Sequence, residues 1–432
     1  MRTSVRDLVQ ASHVCRHWRD TIVSSPCLWT KFECEDLELT RQHLERSRPF
    51  PINVTASSDS DVQAVIALKS GTERFKSLSL HLPLAPLSIV LNQLTDPAPT
   101  LEYLCISVDS CGISIPAKFL GGSTPVLKSL DLDQINNPLN FSKFPALTCL
   151  TLTTTWGFDM SELFQLFASA RLLEVVSVEF SGLKEPIQES QEVISLPEIR
   201  SLTFSNIAGE FPTRLLFLLD TPSVEKVMLN ISLSSWNEQT MWDFLPSVHV
   251  SSLDSLKLDV NFDPCCNLQF SGPGGVVSIN VKSGGPRRLY GGLQSRWLGS
   301  LEPESFAHVK HLTLRSYNPT GRFDQHSVLE LLGTMDGVRS LIAEWCDAKW
   351  IVEALSLFKE GRIELFPELE SLTFREHVQK GVFPGLRDMA RAREGTGFRL
   401  NEVSFDRSVP DSDADSLEPY VGRVRRNTTV AL

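Results

Sequence analysis

The strongest constraint on the fold is a short apolar motif that recurs along most of the chain. It consists of an apolar residue, two spacers, Leu or Val, one spacer and a further apolar residue. The central residues of the first seven copies are separated by 26, 26, 20, 26, 26 and 25 residues. Such a period is typical of a stacked array, because one copy cannot bury its apolar side alone. The copies span residues 75–80, 101–106, 127–132, 147–152, 173–178, 199–204, 224–229, 253–258, 309–314, 338–343 and 369–374.

Each copy has the alternation of a strand that is buried on one face. In Leu127-Lys-Ser-Leu-Asp-Leu132 the last two leucines are two positions apart and therefore share a face. Apolar runs between copies predict helices, and Asp324 or Ser327 is the candidate N-cap of the third. The predicted helices lie within 163–168, 214–219, 328–332 and 351–358.

This motif resembles that of leucine-rich repeats, specifically the irregular kind that follows F-boxes in many fungal proteins. The resemblance covers about residues 70–406 and implies an α/β solenoid. The Asn or Cys that normally follows the strand is out of register, since Asn206 and Asn230 have different offsets. We therefore expect an irregular solenoid, and a different stacked α/β arrangement is the alternative.

The N-terminal segment carries two further motifs. Val14-Cys-Arg-His-Trp-Arg19 places apolar residues at helical spacing, and Ser25-Pro-Cys-Leu-Trp29 ends that helix because proline lacks a backbone donor. Together they resemble the C-terminal half of an F-box, a helical module that docks onto the adaptor subunit of a cullin–RING ubiquitin ligase. The usual opening Leu-Pro-x-Glu helix is missing. We therefore expect a truncated start or a docking surface that has lost one part.

The F-box resemblance implies a set of residues that contact the adaptor or pack the helices that do. The alternative is that residues 1–32 only cap the array. The implied adaptor-binding residues are Leu8, Val14, Cys15, Trp18, Ile22, Leu28 and Trp29.

The same patterns predict four regions. Residues 1–32 form partial F-box helices, and residues 33–69 form a connecting helix–strand unit. Residues 70–406 form the solenoid, interrupted by a glycine-rich loop at about 264–300 with one degenerate copy at 276–281. The acidic residues 407–432 form a mobile tail.

In a leucine-rich-repeat solenoid, the spacers beside the central strand residue line the concave face. Those of the first half are small and nearly neutral, whereas those of the second half carry both charges. A charged strip of this kind selects a partner's orientation, and the alternative is a set of merely solvated strand residues. The predicted target-binding residues are Lys257, Asp259, His311, Arg315, Glu344, Arg375 and Asp406.

No catalytic constellation is present in the sequence. It contains no Gly-x-Gly-x-x-Gly fingerprint, phosphate-binding loop or Gly-x-Ser-x-Gly elbow. His308 and His311 have no nearby third metal ligand, and Cys265 is directly adjacent to Cys266. We therefore expect no enzyme, no metal site and no cofactor.

Net charge and apolar content restrict the partners. A net charge of −11 with a pI near 5.4 argues against binding to nucleic acid or to an anionic membrane. No segment approaches the ~20 apolar residues of a membrane span, and nine scattered cysteines favour the reducing cytoplasm or nucleus. The sequence thus predicts a substrate-recognition subunit of an SCF-type ubiquitin ligase, with the adaptor and an unidentified target protein as partners. A leucine-rich-repeat interaction scaffold without a ligase role is the alternative.

Overall fold

The chain is α/β with mostly parallel strands and divides into two compact units. Unit 1 comprises residues 1–206 and 218–224, and unit 2 comprises 207–217 and 225–432. The computed structural model describes residues 10–34, 36–110, 112–136, 144–156, 160–181, 193–207, 218–232, 253–260, 265–273, 275–282, 306–316, 325–344, 346, 348–359, 362–363, 365–375, 378–407 and 409–426.

The main sheet of unit 1 is a parallel ladder in which each strand pairs with the next one along the chain. Strands β8 and β10 form a separate parallel pair. The strands of unit 1 are β1 (Lys31–Glu33), β2 (Ile52–Ala56), β3 (Phe75–His81), β4 (Tyr103–Ser107), β5 (Ser129–Asp133), β6 (Cys149–Trp156), β7 (Val175–Ser181), β8 (Ile194–Ser195), β9 (Ser201–Ile207) and β10 (Leu219–Asp220).

The sequence repeat sets the register of this ladder. Leu78 pairs with Leu104, Leu104 with Leu130, and the central residues of the following copies continue the same row. These side chains are buried, because alternation turns every second residue of a strand to one face. The strands predicted from the first six copies are confirmed.

Helices and short turns connect the strands of unit 1. Asp36 caps α2 by accepting a hydrogen bond from the Leu39 amide at 2.7 Å. Pro26–Trp29 forms a 3₁₀ turn before β1. The helices are α1 (Arg16–Val23), α2 (Leu37–Arg46), α3 (Val62–Ala67), α4 (Leu84–Gln93) and α5 (Met160–Ser169). The helix predicted at 163–168 is thus confirmed, and the ladder begins at Lys31 rather than near residue 70.

Unit 2 has a second ladder, in which an antiparallel hairpin interrupts the parallel order. Its strands pair in the order β11-β14-β13-β12-β15-β16-β19-β20-β21, and β17 pairs with β18 separately. They are β11 (Lys226–Ser232), β12 (Ser255–Val260), β13 (Cys265–Gly272), β14 (Gly275–Lys282), β15 (His311–Ser316), β16 (Ser340–Glu344), β17 (Phe358–Lys359), β18 (Arg362–Ile363), β19 (Ser371–Phe374), β20 (Glu402–Phe405) and β21 (Arg423–Arg426).

The helices of unit 2 are α6 (Gln325–Leu332), α7 (Ala348–Leu355), α8 (Phe383–Gly395) and α9 (Asp411–Asp415). They confirm the helices predicted at 328–332 and over most of 351–358, although Phe358 belongs to β17. Ser327 lies inside α6 and is not its cap, while Asp324 and residues 214–217 lie outside the described residues.

The interrupting hairpin corrects the predicted loop at 264–300 over residues 265–282. Leu268 and Phe270 alternate on β13 and are fully buried, so this part of the stretch does form strands. Gly275 begins β14 with φ +124°, and a Cβ there would lie 2.1 Å from the carbonyl oxygen of Glu225. Only glycine fits that close approach. The strand predicted at 276–281 is confirmed as part of β14.

The region predicted as a tail contains regular elements within residues 409–426. Residues 411–415 form α9, and β21 extends the ladder by pairing with β20. Arg426 forms ion pairs with Asp411, Asp415 and Glu418. These acidic residues thus neutralise a strand arginine.

Candidate docking sites

The N-terminal segment is anchored to unit 1 through Trp29. Its side chain is 1% exposed, and its indole Nε1 donates a hydrogen bond of 2.8 Å to the carbonyl oxygen of Ile22. Ile22 is itself buried at the end of α1. The chain can fold back in this way because Pro26 begins the 3₁₀ turn directly after the helix. Trp29 and Ile22 therefore hold α1 in place.

A buried histidine completes this anchor. The His43 ring meets the Trp29 ring edge-on with 4.8 Å between centroids, and meets Phe32 at 5.3 Å. The Arg46 guanidinium lies 4.4 Å from the centroid of the Trp29 ring. Burial, assisted by the charge of Arg46, lowers the pKa of His43 to about 4. The neutral imidazole is thus the form that packs.

The other predicted adaptor-binding residues point outward. Val14 is 69% exposed, Trp18 53% and Leu28 39%, and Cys15 is also exposed. Leu8 lies outside the described residues. The six described residues of this set therefore separate into a buried anchor, formed by Ile22 and Trp29, and an exposed group. A packing role for Trp18 is corrected, because its ring remains largely in solvent. We call Val14, Trp18 and Leu28 the exposed apolar group.

In unit 2, four predicted target-binding residues form one line of alternating charge, which we call the charged row. Arg315 Nε lies 3.7 Å from Glu344 Oε2, and Arg375 forms an ion pair with Glu344. Arg375 Nε also lies 3.6 Å from Asp406 Oδ2. The charges of the row therefore satisfy one another across neighbouring parallel strands.

The remaining predicted target-binding residues lie on the neighbouring strands β12 and β15 of that ladder. Asp259 is paired in register with Arg315, and His311 lies at the exposed start of β15. Lys257 is half-buried on β12, two positions before Asp259. The structure thus places five of the seven on neighbouring strands and Arg375 and Asp406 directly after β19 and β20. It brings Arg315, Glu344, Arg375 and Asp406 into contact.

A polar cluster on unit 1 comprises His81, Tyr103, Cys105, Asp131 and Asp133. Tyr103, Cys105 and Asp131 are among the spacers that the sequence placed on the concave face without proposing a site, whereas His81 and Asp133 were missed. Cys105 Sγ lies 3.9 Å from His81 Nε2, and the Ser107 hydroxyl donates to Asp133 Oδ2 at 3.1 Å. His81 and Asp133 lie one position beyond the repeat motif, and this is why the spacers alone suggested a nearly neutral face. The parallel register of β3, β4 and β5 was the signal that could have found them.

Burial governs the protonation of the polar cluster. It raises the pKa of Cys105 to about 11 and that of Tyr103 to about 12, and nearby groups add to these increases. Burial likewise raises the pKa of Asp131, and the Cys105 thiol and the charge of His81 oppose that shift. A thiol with a raised pKa is a poor nucleophile. The cluster is therefore suited to binding rather than to covalent catalysis.

Three further observations concern metal ions, membranes and related proteins. Over the described ranges, no group of three or more His, Cys, Asp and Glu side chains is placed to hold a metal ion. Within the same part of the chain, no helix combines the length and the apolar character needed to cross a bilayer. No protein-family model matches the sequence, and no curated protein matches it significantly.

Proposed function

We propose that this protein is a substrate-recognition subunit of an SCF-type cullin–RING ubiquitin ligase. In this proposal the strand ladders are an irregular leucine-rich-repeat solenoid. The N-terminal segment binds the adaptor subunit, the solenoid binds a target protein, and other subunits transfer ubiquitin.

The observation that carries the proposal is the exposure of Trp18 beside a firm anchor. Trp29 and Ile22 are buried and fix the N-terminal segment. Trp18, which lies on α1 together with Ile22, nevertheless remains 53% exposed. A cap would gain stability by burying that ring, since an aromatic side chain contributes about 1.5–3 kcal/mol on full burial. Large apolar side chains exposed close together along one short segment favour a protein partner.

The alternative is an interaction scaffold, and a specific observation favours it. The Asn53 amide donates to the carbonyl oxygen of Thr30 at 2.7 Å, and the Cys34 amide donates to Thr55 at 3.0 Å. These bonds attach the N-terminal segment to the first strands of the unit 1 ladder, as expected for a cap that protects an array's end.

A pull-down with the recombinant adaptor subunit distinguishes the two. The variant Trp18→Ala/Leu28→Ala removes two exposed side chains, whereas Trp29→Ala is unsuitable because its buried ring supports the fold. Phe398→Ala is the matched control, because Phe398 is an apolar residue of unit 2 that is 46% exposed.

For a ligase receptor we expect saturable binding by the wild type and by Phe398→Ala, and loss of binding by the double variant. The melting temperatures of all three should agree. Absence of binding by the wild type would contradict the ligase role and leave the scaffold. Equal binding by every variant would show that Trp18 and Leu28 do not form the docking surface.

A further inference from the structure

Each ladder has an open face, formed by the side chains that alternate with the buried strand residues. The carboxylates on these two faces differ in whether a cationic side chain pairs with them. In unit 2 each carboxylate of this kind for which contacts are described has an arginine partner: Glu344 and Asp406 through the charged row, and Glu402 through Arg425 at 2.9 Å. In unit 1, among the described residues, Asp131 and Asp133 form no ion pair with a lysine or arginine. The described carboxylates of the unit 2 face are thus neutralised by arginines of unit 2, whereas Asp131 and Asp133 of unit 1 have no such partner in the described ranges.

The open face of unit 1 is the set of side chains that alternate with the buried leucines on β1 to β9. Register places Ser77, Tyr103 and Ser129 in one row and Ser79, Cys105 and Asp131 in the next. Most side chains on this face are small and polar. Its charged residues in the described ranges are Lys31, Glu33, Asp131, Asp133 and Glu179, together with the titratable His81.

Asp131 is half-buried between Cys105 and Thr151, and its nearby polar partners are a weakly donating thiol and His81. Burial raises the pKa of Asp131, and the charge of Asp133 adds to that increase. Asp133 lies two positions along the same strand and accepts from Ser107. A cation placed between the two carboxylates would supply the missing charge.

We propose that the open face of unit 1 binds a lysine- or arginine-bearing segment of a protein partner, with Asp131 and Asp133 receiving the cationic group. This inference rests on the proposed function, because it assigns the chemistry of the target. Charge complementarity indicates a cationic occupant, because carboxylates outnumber lysine and arginine side chains among the described residues of this face. Asp131 and Asp133 are both partly exposed, and charge-assisted hydrogen bonds to carboxylates are stronger than neutral ones.

The test uses the full chain and a fluorescent, capped octapeptide of alternating arginine and serine, titrated by fluorescence anisotropy. An octapeptide of alternating glutamine and serine is the neutral control. The variant Asp131→Asn/Asp133→Asn removes two charges without changing side-chain size. The matched variant Glu353→Gln/Asp388→Asn removes two carboxylates that are 64% and 65% exposed on helices of unit 2.

We expect the arginine peptide to bind the wild type and the matched variant equally, and the neutral peptide to bind neither. Asp131→Asn/Asp133→Asn should weaken binding about tenfold or more, as expected for the loss of a charged hydrogen-bond partner. Absence of binding by the wild type, or equal weakening in both variants, would overturn the proposal, since the latter indicates general attraction to an acidic protein.

The adaptor pull-down keeps this result separate from the proposed function. Asp131→Asn/Asp133→Asn should retain adaptor binding and the wild-type melting temperature, because neither residue belongs to the N-terminal segment. Loss of peptide affinity with adaptor binding intact supports both proposals. Intact adaptor binding with no peptide binding by the wild type overturns the basic-segment proposal alone.

Discussion

Trp29 donates its indole N–H to the main-chain oxygen of Ile22 and thereby ties the 3₁₀ turn to the end of α1. The same N-terminal segment supplies Trp18, which is 53% exposed. The two tryptophans of this segment thus have different roles: one supports the fold, and the other is available to a partner.

This difference predicts opposite effects on stability. Trp29→Ala should lower the free energy of unfolding of unit 1 by about 3–5 kcal/mol, because it empties a buried site. Trp18→Ala should change it by only about 0.5 kcal/mol, as is usual for surface positions. Thermal unfolding followed by circular dichroism measures both. Equal losses would mean that Trp18 is also packed in solution.

His43 predicts a pH dependence of the same anchor. Its pKa is lowered from 6.5 to about 4, so the unfolded chain binds a proton at a higher pH than the folded chain does. The contribution of neutral His43 to the free energy of unfolding is therefore complete above about pH 6.5. It declines as the pH falls toward 4. The loss should reach about 2 kcal/mol at pH 5.

Urea unfolding at pH 7 and pH 5 measures this loss, with His43→Leu as the control. The variant should lose about 2 kcal/mol less than the wild type between the two pH values. Other groups titrate in both proteins and cancel in the comparison. An identical pH dependence in both proteins would show that His43 does not carry the effect.

A substitution at Glu344 tests how much the charged row contributes to the free energy of unfolding. Glu344→Gln removes the negative charge shared by Arg315 and Arg375 from a site that is nearly closed to solvent. The expected cost is about 1–3 kcal/mol of unfolding free energy. The control is Glu368→Gln, which removes an exposed partner of Arg339 and should cost less than about 1 kcal/mol. A similar small cost for both would show that the row is effectively solvated.

The leucine ladder was predictable because it follows from local spacing. A central residue about every 26 positions fixes the strand register, and Leu78, Leu104 and Leu130 pair as the spacing requires. The hairpin at 265–282 was not predictable in the same way. Its glycines are typical of a loop, and only the approach of Gly275 to Glu225 reveals the reason for glycine at that position.

The docking sites were harder to predict, because charge pairing depends on contacts between strands that are distant in the chain. The sequence identified Arg315, Glu344, Arg375 and Asp406 as candidates, but not that they neutralise one another. It also placed Trp18 and Trp29 in one apolar set. Which of them faces inward is decided by the 3₁₀ turn and by the partners that α2 supplies.

Arg393 supports the last prediction, because it is a fully buried cation on α8. Its guanidinium donates to the carbonyl oxygens of Leu365 and Phe366, and Phe366 has the unusual φ of +50°. Burial lowers the pKa of Arg393 to about 10, so the side chain is still charged at neutral pH. The arginine therefore ties α8 to this turn, in which the Phe366 carbonyl oxygen also accepts from the Leu369 amide at 3.0 Å.

Arg393→Met keeps much of the apolar stem but removes every donor. It should lower the unfolding free energy of unit 2 by roughly 1–3 kcal/mol, because the Leu365 carbonyl loses the Arg393 donor while the Phe366 carbonyl keeps the Leu369 amide. Arg391→Met, on the same helix, removes an exposed guanidinium that donates to the Tyr420 hydroxyl and should cost far less. Urea unfolding measures both variants. A loss for Arg393→Met no larger than that for Arg391→Met would show that water or a rearranged turn satisfies the carbonyl groups instead.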